Sequence, residues 1–267
     1  MNIKARELLL TLSVRFHGDW KEIYSAIKRK EPVDDKDIKQ AFDQTKSKFI
    51  SLLDDEYPVF FKNASNPPFI VYYYGNLSLL EKKYRLGVIG TRNPTLYQND
   101  TVYRLISETE DKMKNDLVLV SGMARGLDQT AMEAALSKKA PVISIIGSGI
   151  DNPYPEFNKG IYDYCKTENG LVLSEYPGME AAKPDNFVFR NRLLAMVSEV
   201  IFVGGGKNRS GTSSTVRQAL DLNREIMALP CDITGDDLTN SLINDGAGSV
   251  LTSDDLVMAL KNRMNIL

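Results

Sequence analysis

The residues of this chain that are best suited to chemistry lie in glycine-containing loops that follow short apolar segments. Consecutive backbone amides in such loops form an anion-binding nest, and glycine lets a phosphate approach the backbone closely. Serine and threonine hydroxyls add hydrogen bonds, and an arginine guanidinium can hold a phosphate with two. The pattern predicts an anion site with the loop candidates Gly90, Thr91, Arg92, Ser121, Gly122, Arg125, Gly126, Gly147, Gly149, Ser210, Gly211 and Thr212.

Basic side chains near these loops strengthen the prediction. The chain has 33 Lys and Arg against 35 Asp and Glu, a formal net charge of −2, so only a local cluster could attract a polyanion. The alternative is that each glycine loop is merely a tight turn and that each arginine pairs with a surface carboxylate. The basic candidates are Arg92, Arg125, Arg190, Arg192, Lys207 and Arg209.

The motifs of common catalytic sites are missing from the sequence. No G-x-G-x-x-G follows the first strand of the predicted sheet, and no G-x-x-x-x-G-K-[ST] occurs. The single histidine, His17, lies in the helical N-terminal region, and the two cysteines, Cys165 and Cys231, are too few for a zinc site. The sequence therefore favours binding over catalysis, with no cofactor and no metal.

The elements that must position these loops alternate between strands and helices. Apolar segments at 86–90, 117–121, 142–147, 171–174, 200–203 and 225–229 are separated by helical segments at 97–114, 127–138, 156–166, 186–197 and 211–222. Continuously apolar strands separated by helices indicate a parallel sheet that is covered on both faces. We expect an α/β fold with a doubly wound, Rossmann-like and mostly parallel sheet, whose glycine loops gather at one edge.

The first part of the chain has a different pattern. Apolar residues recur at helical spacing up to Leu53, and Asp34 or Asp35 could cap a helix after the break at Pro32. We predict a small all-helical, SAM-like domain over residues 1–55, and the Rossmann-like domain over 56–267. With no apolar run near the roughly 20 residues that span a bilayer, and no disulfide framework, we expect a cytoplasmic protein with no membrane partner.

Eight motifs, in order, resemble those of the DprA/Smf family of DNA-processing proteins, which act in natural transformation. The resemblance covers about residues 57–251, and the helical N-terminal region also looks like a domain that many members carry. The matching stretches are G-T-R at 90–92, S-G-M-A-R-G-L-D at 121–128, G-S-G-I-D at 147–151, Y-P-x-x-N at 154–158, S-E-Y-P at 174–177, P-x-x-F-x-x-R-N-R at 184–192, S-G-T at 210–212 and N-S-L-I-N-D-G-A at 240–247.

The resemblance implies a homodimer that binds single-stranded DNA without chemistry and loads the RecA recombinase onto it. By the same resemblance Arg92 would grip a phosphate, and Asn158, Arg190 and Arg192 would complete the wall of the pocket. The chain departs from the family pattern at Met132, where a histidine is usual, and at Gly204-Gly205, where an acidic residue and alanine are usual. These departures put the standard mode of ligand binding in doubt.

Two other functions fit the same loops. Phosphoribohydrolases with a related Rossmann core carry P-G-G-x-G-T-x-x-E, but Thr215 stands at the glutamate position here. A nucleotide sensor would use the same phosphate nest, because the nest does not reveal what is attached to the phosphate. Tyr154 and Phe157 either stack on a base near the pocket or pack in the core.

Overall fold

The structure is a computed structural model that describes residues 3–233 and 238–266. Its helices, in chain order, are α1 (Ile3–Arg15), α2 (Trp20–Lys28), α3 (Asp35–Gln44), α4 (Val59–Lys62), α5 (Leu96–Met113), α6 (Leu127–Ser137), α7 (Lys159–Cys165), α8 (Pro184–Val197), α9 (Gly211–Asp221), α10 (Leu238–Asn244) and α11 (Ser253–Ile266). Its strands are β1 (Lys48–Ser51), β2 (Ile70–Gly75), β3 (Tyr84–Ile89), β4 (Leu117–Ser121), β5 (Val142–Ile145), β6 (Gly170–Ser174), β7 (Val200–Val203), β8 (Glu225–Ala228) and β9 (Gly248–Ser249).

One sheet of nine strands organises the described part of the chain, in the order β1-β2-β6-β5-β4-β3-β7-β8-β9. The strands from β6 to β9 in this order are parallel, and β1 and β2 add an antiparallel edge. Two apolar clusters cover the opposite faces, which is why the strands β4, β5, β6 and β7 are mostly apolar and buried along their whole length. The predicted α/β class with a doubly wound, mostly parallel sheet is confirmed.

The sheet reverses its winding direction between β3 and β7. From β3 the chain steps through β4 and β5 to β6, and α8 then carries it back to β7 on the other side of β3. Two loops therefore leave the carboxyl ends of adjacent strands in opposite directions, which opens a crevice between them. Open α/β sheets bind ligands at such a switch point.

The N-terminal region is not entirely helical. Phe49, which the spacing placed in a helix, lies in β1, and β1 pairs antiparallel with β2. The local apolar spacing fits a helix and a strand equally well, and this segment forms a strand because it pairs with the edge of the sheet. Helices α1 to α3 precede it, and the Tyr72 hydroxyl of β2 donates to Ser13 Oγ of α1 at 2.9 Å. The division of the chain at residue 55 stays a prediction.

No helix within residues 3–233 and 238–266 has both the length and the apolar character that crossing a membrane requires.

Candidate phosphate-binding pocket

A cavity of about 780 Å³ lies in the crevice between the loops that leave β3 and β7, and we call it the main pocket. Residues from the β3–α5 loop, the first half of α8 and the loop into α9 form its walls. Of the predicted site residues, the structure brings together around the main pocket Gly90, Thr91, Arg92, Arg190, Ser210, Gly211 and Thr212.

The loop after β3 presents Arg92 to solvent at the pocket wall. The Thr91 carbonyl oxygen accepts a hydrogen bond from the Leu127 amide at 3.2 Å, which ties this loop to the start of α6. Arg92 is exposed, and its guanidinium carbon lies 5.8 Å from the centroid of the Phe187 ring. A cation at this distance from an aromatic ring is attracted to its face. Phe187 therefore orients Arg92 and leaves its guanidinium accessible to an anion.

Helix α9 begins at the opposite wall. Ser210 caps it: its hydroxyl accepts from the Ser213 amide at 3.3 Å, and Ser213 Oγ accepts from the Ser210 amide at 3.0 Å. The amides of Gly211 and Thr212 belong to the first turn, where a helix offers no carbonyl partner. A β-carbon at Gly211 would meet no other atom within 4 Å, so the space in front of this helix start is open. The free amides and the helix dipole favour an anion there.

Unpaired cations surround this space. Within the described residues, Arg92, Lys207 and Arg209 are all exposed and none of them forms an ion pair with a carboxylate. All three line the main pocket. The positive charge that the overall composition lacks is therefore concentrated locally, and the alternative of surface arginines paired with carboxylates does not hold for these side chains.

A buried pair of opposite charges lies at the back of the main pocket. The Arg190 guanidinium donates to the Ile145 carbonyl oxygen, and its Nε has no partner among the described residues. Burial lowers the pKa of Arg190 to about 10, although the nearby Asp128 opposes this shift. A β-carbon on Gly122 would collide with the Arg190 guanidinium and lie 2.7 Å from Asp128 Oδ2. Gly122 is therefore needed to let the two charged groups approach each other.

Asp128 connects the loops around this pair. Burial raises the pKa of Asp128 to about 6, and hydrogen bonds from the backbone of Ala124, Gly122 and Gly90, together with the charge of Arg190, oppose the rise. Asp128 follows a Gly-Leu pair at the start of α6, a position that suits a side chain capping a loop. Asp128 was not among the predicted site residues, and the structure places it in the pocket wall.

Arg192 does not reach the main pocket. Its guanidinium forms a two-bond ion pair with Glu175, of which the Nη2–Oε1 distance is 2.6 Å, and its Nε donates to the Asn66 carbonyl oxygen at 3.2 Å. Both charged side chains are buried. Arg192 lies two residues after Arg190 on α8, and helical geometry turns the two side chains to different sides. Arg192 therefore does not form part of the pocket wall, contrary to the prediction from the sequence.

Asn158 also lies away from the main pocket. It is buried, and its Nδ2 donates to the Met123 carbonyl oxygen at 3.0 Å, so its amide holds the loop after β4 rather than a ligand. The Ser121 hydroxyl is likewise engaged, since it donates to the Val88 carbonyl oxygen at 2.7 Å. These two polar side chains fix neighbouring segments of the pocket rim from behind.

The remaining predicted residues pack around the pocket without lining it. Gly126 has a φ of +90°, and a β-carbon there would collide with the Thr91 carbonyl oxygen. Gly147 lies against the Phe187 ring, and the Gly149 amide donates to the Glu180 carbonyl oxygen at 2.8 Å. Arg125 is exposed but outside the cavity. The glycines of these loops permit close packing, so the tight-turn alternative describes them better than the phosphate nest.

Aromatic side chains add to the rim. Tyr154 is 52% exposed and Phe157 is 63% exposed, so neither is packed in the core. The Tyr154 ring lines the main pocket, with its centroid 5.7 Å from that of Phe187. Phe187 was not among the residues predicted for the pocket, although its position three residues before Arg190 on the same helix was a usable signal.

The departures from the family pattern do not line the pocket. Met132 is fully buried in the core. β-carbons at Gly204 and Gly205 would lie 2.7 Å from Val102 Cγ2 and 2.6 Å from Gln98 Nε2, so these glycines pack against α5. The altered residues therefore change the support behind the pocket and leave its lining intact.

Comparisons with known proteins agree with this architecture. The DNA processing protein DprA of Streptococcus pneumoniae is 34% identical over 227 residues, which cover 84% of this chain and 78% of the relative. The crystal structure of DprA from that organism superposes with a TM-score of 0.79 at 29% identity, and the match covers 94% of this chain and 92% of that one.

A second solved structure is DNA processing protein A from Helicobacter pylori, which was studied for its mode of binding single-stranded DNA. It gives a TM-score of 0.71 at 29% identity over 82% of this chain and 99% of that one. The profile of the family described as DNA recombination-mediator protein A matches residues 48–261, a range that contains β1 to β9 and every residue of the main pocket. Because the matched range covers most of the chain and includes the whole sheet and the main pocket, the chain belongs to the DNA recombination-mediator protein A family.

Proposed function

We propose that this protein binds single-stranded DNA by holding a backbone phosphate in the main pocket. The observation that carries the proposal is the set of unpaired, exposed cations that faces the open start of α9. A phosphate there would accept hydrogen bonds from the Gly211 and Thr212 amides and from the Arg92 guanidinium. The relative from Helicobacter pylori, which binds single-stranded DNA, supports a strand rather than a free ion as the ligand.

A single strand suits the pocket better than a duplex. The crevice is concave and admits one backbone at a time, and the exposed Tyr154 ring at its rim can stack on a base. Duplex recognition uses a helix or ribbon that fills a groove, and none of the elements around the main pocket is placed to do this. We expect a duplex to compete poorly with a single strand of the same length.

The pocket chemistry supports binding without catalysis. Thr215 is buried in the pocket wall at the position where phosphoribohydrolases have glutamate, and its hydroxyl donates to the Gly211 carbonyl oxygen at 3.2 Å. Glu175, the acid that follows β6, is held by Arg192 outside the pocket. Asp128 is committed to backbone amides. No hydrolysis of nucleoside monophosphates is therefore expected, and release of free base by the purified protein would contradict this.

Substitution of Arg92 tests the proposal. A charge-assisted hydrogen bond contributes about 1.5–3 kcal/mol, so Arg92→Ala should weaken binding of a fluorescent thymidine oligonucleotide by about tenfold or more. Arg92→Lys should recover part of the loss, because lysine lacks the planar fork. The matched control is Arg104→Ala, which removes an equal charge from an exposed arginine paired with Glu108 on α5. Wild-type affinity in Arg92→Ala would refute the site.

The same assay separates a DNA-binding protein from a nucleotide sensor. Titration with thymidine monophosphate and with the oligonucleotide compares one phosphate with a strand that also offers neighbouring bases. The proposal expects clearly tighter binding of the oligonucleotide. Equal affinities for the two ligands would favour the sensor.

The proposal extends to the role of the bound strand. We further propose that the protein acts as a homodimer and loads RecA recombinase onto the strand. The family description as a recombination mediator supports a role in recombination. The test is filament assembly by RecA on DNA coated with single-strand-binding protein, with sedimentation to give the oligomeric state. Wild-type protein should accelerate assembly and Arg92→Ala should not. Equal assembly with and without the protein would refute the loading role.

A further inference from the structure

A second cavity of about 610 Å³ shares a wall with the main pocket, and we call it the side pocket. Thr91, Asn93, Gly206 and Lys207 line both cavities. The side pocket extends from this wall toward the start of α5 and the segment after β8, where Tyr97 and Cys231 line it. Its volume falls within the range of small-ligand sites. Any chain that passes over the shared wall connects the two cavities.

The walls of the side pocket suit a flat, neutral group. The Tyr97 ring is 54% exposed, and its hydroxyl donates to the Pro230 carbonyl oxygen at 3.0 Å, which fixes the ring at the cavity wall. An exposed aromatic face held in this way is a platform on which a nucleobase can stack. Pro230 adds apolar surface beside it.

The charges differ between the two cavities. In the main pocket the guanidinium groups of Arg92, Arg190 and Arg209 outnumber the carboxylate of Asp128. Of the described charged residues, the side pocket has the Asp232 carboxylate and Lys207 on the shared wall. A carboxylate disfavours a phosphate and does not disfavour a neutral base. Asn93, exposed on the shared wall, supplies an amide that both donates and accepts at a base edge.

We propose that the side pocket is a nucleobase subsite, which takes the base adjacent to the phosphate held in the main pocket. The strand would cross the shared wall beside Lys207, which lines both cavities and carries a positive charge that can attract the connecting phosphate. This inference rests on the proposed function, since it needs a strand in the main pocket. It adds the direction in which that strand leaves the pocket and the residue, Tyr97, that holds its next base.

Cys231 provides a direct probe of the side pocket. Its thiol is partly exposed and receives a hydrogen bond from Gln98 Nε2 at 3.4 Å, whereas Cys165, the second cysteine of the sequence, is fully buried and burial raises the pKa of its thiol. Iodoacetamide should therefore alkylate Cys231 in the folded protein. Alkylation of Cys165, followed by peptide mass spectrometry in the same sample, reports any unfolding.

The experiment measures the Cys231 alkylation rate in three samples: protein alone, protein with a short thymidine oligonucleotide, and protein with an abasic strand of the same length built from tetrahydrofuran residues. At an oligonucleotide concentration ten times the dissociation constant, protection should slow alkylation by about tenfold. The abasic strand, which offers the same phosphates but no base, should leave the rate nearly unchanged. Equal protection by both ligands would overturn the subsite.

Substitution of the platform gives an independent measurement. Tyr97→Ala should weaken binding of the thymidine oligonucleotide by about fivefold or more, the effect of losing one stacked base, and leave binding of the abasic strand unchanged. Tyr103→Ala, which removes an exposed tyrosine further along α5, is the matched control and should bind like wild type. Wild-type affinity in Tyr97→Ala would overturn the inference.

The outcomes also distinguish this inference from the proposed function. An oligonucleotide that binds in an Arg92-dependent manner but leaves Cys231 unprotected would refute the side pocket alone. An oligonucleotide that does not bind at all would refute both.

Discussion

Two arginines of α8 that are two residues apart have different roles. Arg190 lines the main pocket beside Asp128, whereas Arg192 is held by Glu175 in a buried ion pair. Removal of one partner from a buried pair leaves the other charge uncompensated, which costs about 3–5 kcal/mol. The contribution of Arg192 should therefore be to stability, and that of Arg92 to binding.

We predict that Arg192→Ala lowers the free energy of unfolding by about 3–5 kcal/mol for the reason just given. The affinity of the folded fraction for a thymidine oligonucleotide should stay within about twofold of wild type. The reason is that Arg192 lies outside the main pocket, so its removal destabilises the folded chain without removing a contact to the ligand. Urea denaturation and fluorescence anisotropy measure the two quantities, and Arg92→Ala should show the reverse result. Weakened binding at unchanged stability would instead place Arg192 at the ligand.

Asp128 should make DNA binding dependent on pH. Its pKa is raised to about 6 by burial, so the carboxylate becomes protonated as the pH falls from 7 to 5. Loss of this negative charge leaves Arg190 uncompensated, and the affinity for an anion should rise by about fivefold, equivalent to about 1 kcal/mol. Anisotropy titrations between pH 5 and 7.5 measure the change.

Asp128→Asn should abolish this pH dependence and bind at the low-pH affinity throughout. A thymidine oligonucleotide keeps base protonation out of the measurement. His17→Gln is the control, because His17, the single histidine of the sequence, lies beside Glu180 and away from the main pocket. Persistence of the rise in Asp128→Asn would show that another group causes it.

At the scale of the elements, α5 carries a buried acid that the pocket does not use. Neither carboxyl oxygen of Glu110 has a hydrogen-bond partner among the described residues, and burial raises the pKa of this group to about 8. The folded chain therefore keeps a proton that the unfolded chain releases near pH 4.5. Stability from this source is complete below about pH 4.5 and is lost as the pH rises through 8.

We predict that Glu110→Gln flattens the dependence of stability on pH. In wild type this residue should lower the free energy of unfolding by up to about 1.4 kcal/mol for each pH unit between 5 and 8. The amide of glutamine does not ionise, so the variant lacks this pH-dependent loss. Its free energy of unfolding should therefore exceed that of wild type by an amount that grows with pH. Denaturant unfolding at pH 5.5, 7 and 8.5 gives the slopes. Parallel slopes in the two proteins would mean that Glu110 is ionised in the folded chain.

A second ionic network stabilises the other end of the sheet. Glu199, just before β7, accepts hydrogen bonds from Arg85 of β3 and from Arg224, which donates at 2.8 Å. Arg85 and Arg224 also donate to backbone carbonyl oxygens at the end of α8. The network therefore fixes β3, β7 and α8, the three elements whose opposite ends form the main pocket, and so supports the pocket from a distance.

At the scale of the whole molecule, charge is distributed unevenly. The net charge is −2, yet three cations without a carboxylate partner among the described residues line one pocket. Such a protein should bind DNA through a few phosphates and not through its surface as a whole. Binding to a single strand releases about 0.7 counterions per phosphate neutralised.

We predict that the logarithm of the association constant falls with the logarithm of salt concentration with a slope of about −2, from three contacts of this kind. Titrations of a thymidine oligonucleotide in potassium chloride from low to moderate concentration give the slope. In Arg92→Ala it should decrease by less than one unit. A slope of zero, or one much steeper than about −5, would contradict a local pocket.

The fold class and the sheet edge that carries the candidate site could be predicted from the sequence. Alternating apolar strands and helices require a covered parallel sheet, and glycine loops after its strands must then gather at one edge. Composition had already confined any anion site to a local cluster. Arg92 could be identified in the same way, because it follows a strand directly and its position depends little on packing elsewhere.

Which of these residues line the main pocket depends on contacts that form in the folded chain. Phe49 lies in a strand because its segment pairs antiparallel with β2 at the edge of the sheet. Arg192 does not line the main pocket because its guanidinium forms an ion pair with Glu175, which belongs to a different segment of the chain. The pairing of charges, the side of a helix that meets a cavity and the fit of glycines between loops depend on contacts between segments far apart in the chain. Local residue spacing does not encode those contacts, and for that reason Asp128, Phe187 and the side pocket appeared only in the folded molecule.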